Sequence, residues 1–91
     1  MTAQPVGSVF AVVLLLLAAG EAFARPAVIY SVGGKFDGSF NEAAFAGAER
    51  YREETGENYG EFEIASPAQS LQALRTFAQK GFSPIVAIGF N

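Results

Sequence analysis

The residues best suited to chemistry in this chain lie together between Phe36 and Asn41. Asp37 offers a carboxylate, Ser39 a hydroxyl and Asn41 an amide, while Phe36 and Phe40 offer flat apolar rings. Carboxylates and amides hydrogen-bond the polar edges of a ligand, and exposed rings stack on flat molecules. This set of side chains indicates a surface that binds a small, flat, polar molecule rather than a catalytic centre.

Each of these side chains also has a structural explanation. Asp37 either accepts hydrogen bonds from ligand hydroxyl or base N–H groups, or satisfies backbone N–H groups and caps the following helix. Asn41 either contacts a ligand or ties the loop to the helix. Phe36 lies on a glycine-flanked loop where core packing is hard to explain, whereas Phe40 falls on the apolar stripe of the helix, where we expect it to pack.

The glycines around this segment do not form a phosphate cradle. Gly33, Gly34 and Gly38 follow neither the dinucleotide-binding spacing nor the phosphate-loop pattern, which requires Gly-Lys followed by Ser or Thr. We therefore expect no nucleotide-phosphate site and no cofactor.

Composition excludes several classes of function. The 91 residues contain no cysteine and no histidine, and the net charge is −3. Disulfides, a thiol nucleophile and a lipid-attachment cysteine are therefore absent, as are the usual zinc ligands and the commonest general base. Without a stripe of Lys and Arg, nucleic acid is not an expected partner. We expect a binder with no metal site, not an enzyme.

The N-terminus has the features of an export signal. The apolar run from Val9 to Ala19 is shorter than the roughly 20 residues that span a bilayer. Ala22-Phe23-Ala24 then has the small-x-small pattern that precedes signal-peptidase cleavage. We expect residues 1–24 to be a signal peptide and residues 25–91 to be mature, although the first eight residues carry no Lys or Arg. A retained membrane anchor is the alternative.

Hydrophobic periodicity beyond this signal alternates between strands and helices. Nearly continuous apolar runs predict strands at 27–32 and 84–89. A third strand is predicted at 59–65, where Tyr59, Glu61 and Glu63 alternate with Gly60, Phe62 and Ile64. Ser39 with Glu42 forms a capping-box pattern for a helix through Glu54, and Ser66-Pro67 begins a second helix that Gly81 ends. The residues expected to face the sheet are Phe40, Ala44, Gly47 and Tyr51 on the first helix and Leu71, Leu74 and Ala78 on the second.

This order predicts an α/β fold with a three-stranded parallel sheet in spatial order 2-1-3. Ligands of such sheets bind outside the carboxyl ends of the strands, where the strand order reverses. Gly89 and Phe90 follow the third strand and should therefore lie beside the Phe36–Asn41 segment. A half-sheet of this kind leaves open edges, so we expect the chain to be the first part of a longer domain.

The sequence resembles the basic membrane protein family of substrate-binding proteins, which includes purine nucleoside-binding lipoproteins. The resemblance rests on Phe36-Asp37-Gly38-Ser39-Phe40-Asn41 followed by Ala44-Phe45-Ala46-Gly47. It extends to the preceding strand, to residues 69–81 and to the run from Pro84 to Phe90. Gly38 departs from the pattern, since an acidic or basic residue often precedes the serine.

This resemblance implies the start of the N-terminal lobe of a type I periplasmic-binding fold. It implies a nucleoside-like ligand, bound by Asp37 and Asn41 with Phe36 or Phe40 on the base, and partners in the membrane subunits of an ATP-binding-cassette importer. Because the lipid-attachment cysteine is missing, a soluble periplasmic form without a lipid anchor is expected. The competing interpretations are a small doubly wound enzyme or signalling domain, and a membrane-tethered interaction fragment.

Overall fold

A computed structural model describes residues 24–89 of the chain. Strands and helices alternate along it, and the first strand begins three residues after Ala24. Apolar residues form the first and third strands, whereas glutamates alternate with Gly60 and Phe62 in the second. The elements are β1 (Ala27–Tyr30), α1 (Phe40–Thr55), β2 (Gly60–Glu63), α2 (Gln69–Gln79) and β3 (Ile85–Ala87).

The three strands form one parallel sheet in the order β2-β1-β3, which confirms the predicted α/β class and strand order. Val28 of β1 is aligned with Glu61 of β2 and with Val86 of β3. All four residues of β1 are buried because the strand has a neighbour on each side and a helix on each face. All three strands are shorter than the predicted ranges 27–32, 59–65 and 84–89.

One face of the sheet packs against α2. Its core contains Ile29, Ile64 and Ala73, with Phe77 and Ile85 packed against them. The expectation that Leu71, Leu74 and Ala78 face the sheet was wrong. Leu71 is 55% and Leu74 39% exposed, and Ala78 is exposed as well. The small side chain of Ala73 lets the helix approach β1 closely. The face that packs on the sheet therefore contains Ala73 and Phe77 instead of the predicted Leu74 and Ala78.

The other face packs against α1 through a stripe formed by Asn41, Ala44, Ala48 and Tyr51. Here too the predicted stripe was partly wrong. Phe40 is 73% exposed and Gly47 is exposed, whereas Ala44 and Tyr51 face inward as expected. Asn41 turns inward at the first turn of α1, and the angle of about 100° between successive residues then carries Phe40 outward.

Two predictions fall outside the described residues. The expected signal peptide occupies residues 1–24, of which only Ala24 belongs to the described part. Phe90 lies one residue beyond the end of the described part.

Arg25, next to Ala24, forms a backbone bridge with Ser83. The Arg25 N–H donates to the Ser83 carbonyl at 3.1 Å, and the Ser83 N–H donates to the Arg25 carbonyl at 2.8 Å.

Candidate functional site

The candidate site is the β1–α1 loop, residues 31–39, together with the first turn of α1. The loop leaves β1 at the carboxyl edge of the sheet, and Gly89 follows β3 at the same edge because the two strands are parallel. Four of the predicted site residues, Phe36, Asp37, Ser39 and Phe40, are exposed in this short segment. Gly89 is exposed too, with a φ of 104° that favours glycine.

Asp37 caps α1. Its Oδ1 accepts hydrogen bonds from the backbone N–H of Ser39 at 2.8 Å and of Glu42 at 3.1 Å. Ser39 makes no side-chain cap hydrogen bond, so the predicted Ser39–Glu42 capping box was wrong in its serine partner. Glu42 does accept from a backbone N–H before the helix, that of Gly38 at 3.2 Å. One carboxylate therefore satisfies two N–H groups that the helix itself leaves free.

The same contacts set the charge state of Asp37. Partial desolvation acts to raise its pKa, but the backbone N–H groups of Ser39, Glu42 and Asn41 outweigh it and hold the pKa below the ordinary value of an aspartate. The carboxylate is therefore ionised at neutral pH. Both cap hydrogen bonds go to Oδ1, which leaves Oδ2 as the oxygen available to a ligand donor.

Asn41 is completely buried and directs its amide toward Ser31. Its Oδ1 accepts from the backbone N–H of Ser31 at 3.0 Å and from the Ser31 hydroxyl at 3.1 Å, and its Nδ2 donates to the Ser31 carbonyl at 3.0 Å. These contacts join the end of β1 to the first turn of α1. In this arrangement Asn41 offers no surface to a ligand and acts on the site by fixing where the helix begins.

Phe36 and Phe40 lie on either side of Asp37 in the chain and are 71% and 73% exposed. They are the two most exposed large apolar side chains within residues 24–89, and exposed apolar groups beside polar ones suit a binding surface. The ring of Phe36 meets that of Phe45 edge to face, with centroids 5.2 Å apart and planes at 80°. Phe45, from the first half of α1, thus supports the loop ring rather than the sheet.

Lys35 connects the loop to β2. Its Nζ donates to Glu61 Oε1 at 2.7 Å and lies 4.9 Å from the Phe45 ring centroid and 5.8 Å from that of Phe36. The hydrogen bond to Glu61 is the main reason why the pKa of Lys35 is raised. The sequence does not reveal this pair, because the two residues lie far apart in the chain and no short-range pattern relates them.

Two tyrosines donate hydrogen bonds to glutamates near the loop. Tyr30, at the end of β1, donates from its hydroxyl to Glu61 Oε2 at 3.4 Å. Burial and the nearby Glu61 carboxylate raise the pKa of Tyr30 to about 12. Tyr59 donates to Glu49 Oε1 at 2.7 Å, and burial together with that hydrogen bond raises its pKa as well. Both hydroxyls therefore remain protonated donors at any physiological pH.

Residues 24–89 hold neither a cluster of metal ligands nor a helix suited to span a membrane. No group of three or more acidic side chains in that range is arranged to hold a metal ion. Of the two helices described, neither has the length and apolar character needed to cross a membrane.

No family model matches this chain, and no curated protein matches it either.

Proposed function

We propose that this chain is the first part of an exported solute-binding protein and that its β1–α1 loop forms one wall of a site for a nucleoside-like molecule. The observation that carries the proposal is the exposure of Phe36 and Phe40 on either side of Asp37, at 71% and 73%. Two open rings next to an ionised carboxylate suit a flat ligand with polar edges.

The position of this segment supports the proposal. The order β2-β1-β3 reverses between β1 and β3, and in open parallel sheets ligands bind at the carboxyl edge where the order reverses. The β1–α1 loop and Gly89 follow the two strands on either side of that point. In the proposed site, Phe36 or Phe40 stacks on the base and Asp37 Oδ2 accepts from its N–H or from ribose hydroxyls. Ser39 and Phe90 complete the set of candidate contacts.

A lobe of this kind needs an opposing surface. Val86 on β3 is 46% exposed, and beside it lies a cleft of about 320 Å³ lined by apolar side chains from the sheet and from α1. We propose that further elements cover this surface and that residues 25–91 begin the N-terminal lobe of a type I periplasmic-binding fold. Binding rather than catalysis is the proposed activity, because the carboxylate that flanks the rings is also committed to capping a helix.

The expected partners follow from that fold. We propose that the membrane subunits of an ATP-binding-cassette importer receive the ligand from a soluble periplasmic receptor. Cleavage after Ala24 is compatible with the fold, since the bridge between Arg25 and Ser83 involves only backbone groups that remain after cleavage. Mass spectrometry of the periplasmic fraction should find a mature chain that begins at Arg25. An intact N-terminus in the inner membrane would contradict export in this form.

Calorimetric titration tests the ligand class. The protein should be expressed together with any coding sequence that follows Asn91 and titrated with adenosine, guanosine and inosine. Replacing Phe36 or Phe40 by Ala should cost about 1–3 kcal/mol of binding free energy for the ring that stacks on the base. Leu71→Ala is the matched control, because Leu71 is also an exposed apolar residue but lies on α2. No nucleoside binding by the unaltered protein would overturn the ligand class.

A further inference from the structure

A chain of contacts that begins at the buried strand β1 reaches Phe36. Tyr30, completely buried in β1, donates to one oxygen of Glu61. The other oxygen of Glu61 accepts from Lys35 Nζ at 2.7 Å. That ammonium lies over the ring of Phe45, with the Phe36 ring next to it, and the two rings meet edge to face.

These contacts join four parts of the molecule: β1, β2, the β1–α1 loop and α1. The backbone of Glu61 belongs to β2, whose position beside β1 is set by the register of the sheet. Lys35 therefore links a strand of the sheet to the rings of Phe36 and Phe45. An ammonium near an aromatic face is attracted by the π electrons, which adds a preferred position to an otherwise loosely packed loop.

We propose that Glu61 and Lys35 are positioning residues that hold Phe36 against Phe45 and so present the Phe36 ring to a ligand in a fixed orientation. The inference rests on the proposed function for its ligand, a nucleoside-like molecule, but the positioning itself can be measured without one. A ring held in its bound orientation before the ligand arrives loses less conformational entropy on binding. Neither Glu61 nor Lys35 needs to touch the ligand for this effect.

The first test measures the ring pair directly in the full chain. Nuclear Overhauser effects between the ring protons of Phe36 and Phe45 report their contact. Lys35→Met, which keeps an unbranched apolar stem but removes the charge, and Glu61→Gln, which keeps an acceptor for Tyr30, should both weaken these effects. Lys35→Arg should retain them, because a guanidinium can donate to a carboxylate and stack on aromatic faces.

A matched control separates positioning from the general effect of removing an ion pair. Arg50 and Glu54 form an exposed pair at 2.7 Å within α1, one that does not involve the loop. Arg50→Met removes the same charge as Lys35→Met and should leave the effects between Phe36 and Phe45 unchanged. Raising the ionic strength should weaken the ring contact in the unaltered protein, since partly exposed pairs are screened by salt.

The second test measures affinity. Lys35→Met and Glu61→Gln should each weaken nucleoside binding about two- to fivefold, the factor that one exposed cation–π contact contributes. Lys35→Arg should bind like the unaltered protein. In a double variant the two losses should not add, because each change breaks the same connection.

The outcomes distinguish this proposal from the proposed function. Ring contacts that persist in both Lys35→Met and Glu61→Gln would overturn the positioning role, whatever the affinity. A lower melting temperature with unchanged ring contacts would also overturn it, since the pair would then be merely structural. Lost ring contacts in both variants of a protein that binds no nucleoside would support the positioning role and overturn the proposed ligand.

Discussion

Asn41 and Ser31 form a closed hydrogen-bonded pair that joins the first turn of α1 to the end of β1. The side-chain amide of Asn41 makes two hydrogen bonds to backbone groups of Ser31 and a third to its hydroxyl. Asn41 is completely buried, and no described side chain has a buried polar atom without a partner. The direction in which α1 leaves the loop, and with it the exposure of Phe40, follows from this pair.

Asn41→Ala should therefore lower the free energy of unfolding by about 1–3 kcal/mol, because the backbone groups of Ser31 lose their partners. Urea denaturation of the full chain measures the difference. Asn58→Ala is the matched control: Asn58 is exposed, and its replacement should change stability by less than about 0.5 kcal/mol. Equal stability of the two variants would show that the pair does not fix the start of the helix.

Two substitutions of Asp37 distinguish its role as a helix cap from its proposed role in binding a ligand. Asn is as good a helix cap as Asp, so Asp37→Asn should keep the melting temperature near neutral pH, whereas Asp37→Ala should lower it. If Oδ2 contacts the ligand as proposed, both variants should lose roughly ten- to a hundredfold in nucleoside affinity. If the Asp37 carboxylate only caps the helix, nucleoside affinity should be unchanged in Asp37→Asn.

The pH dependence of stability tests the charge of Asp37. Its pKa in the folded chain lies below the ordinary value, so the stabilisation is complete above the unfolded-state pKa and is lost as the pH falls through the folded-state pKa. Thermal melts between neutral pH and about pH 2 should show an acid-dependent component in the unaltered protein that Asp37→Asn lacks. Parallel melting curves for the two proteins would contradict the assignment.

The face that α2 turns to the sheet can be tested with one core and one surface change. Ala73→Leu should cost about 1–3 kcal/mol, because Ala73 is buried against Ile29 and Ile64 and a larger side chain overpacks the contact. Leu71→Ala should cost less than about 0.5 kcal/mol in the same denaturation experiment. A larger loss of stability in Leu71→Ala than in Ala73→Leu would show that Leu71 faces the sheet, as the apolar pattern of the helix predicts.

Two glycines offer opposite outcomes for the same substitution. A Cβ on Gly60 would lie 2.8 Å from ring carbons of both Phe77 and Phe82, so Gly60→Ala should destabilise the chain by about 1–3 kcal/mol. A Cβ on Gly47, inside α1, meets nothing within 4 Å, and Gly47→Ala should stabilise by about 0.5–1 kcal/mol. Gains of stability in both variants would show that Phe77 and Phe82 can move away from Gly60.

The sequence by itself determined the alternation of elements, the parallel sheet and the strand order. Those features depend on an apolar run in Ala27–Tyr30, on a left-handed glycine at Gly56 after α1, and on the general preference of parallel strands for right-handed crossovers. It also placed Phe36 on an exposed loop, because glycines on both sides leave such a ring little to pack against. Each signal acts over a few residues, so a linear pattern is enough to read it.

Only the tertiary structure decided how the helices are rotated and which side chains support the loop. A helix with two neighbouring apolar stripes can pack on the sheet with either of them. In α2, close packing against β1 buries Ala73 and leaves Leu71 and Leu74 exposed. The amide of Asn41 selected the rotation of α1 in the same way. The contact of Lys35 with Glu61 arises because parallel pairing brings β2 beside β1, and no local pattern records which residues such pairing makes neighbours.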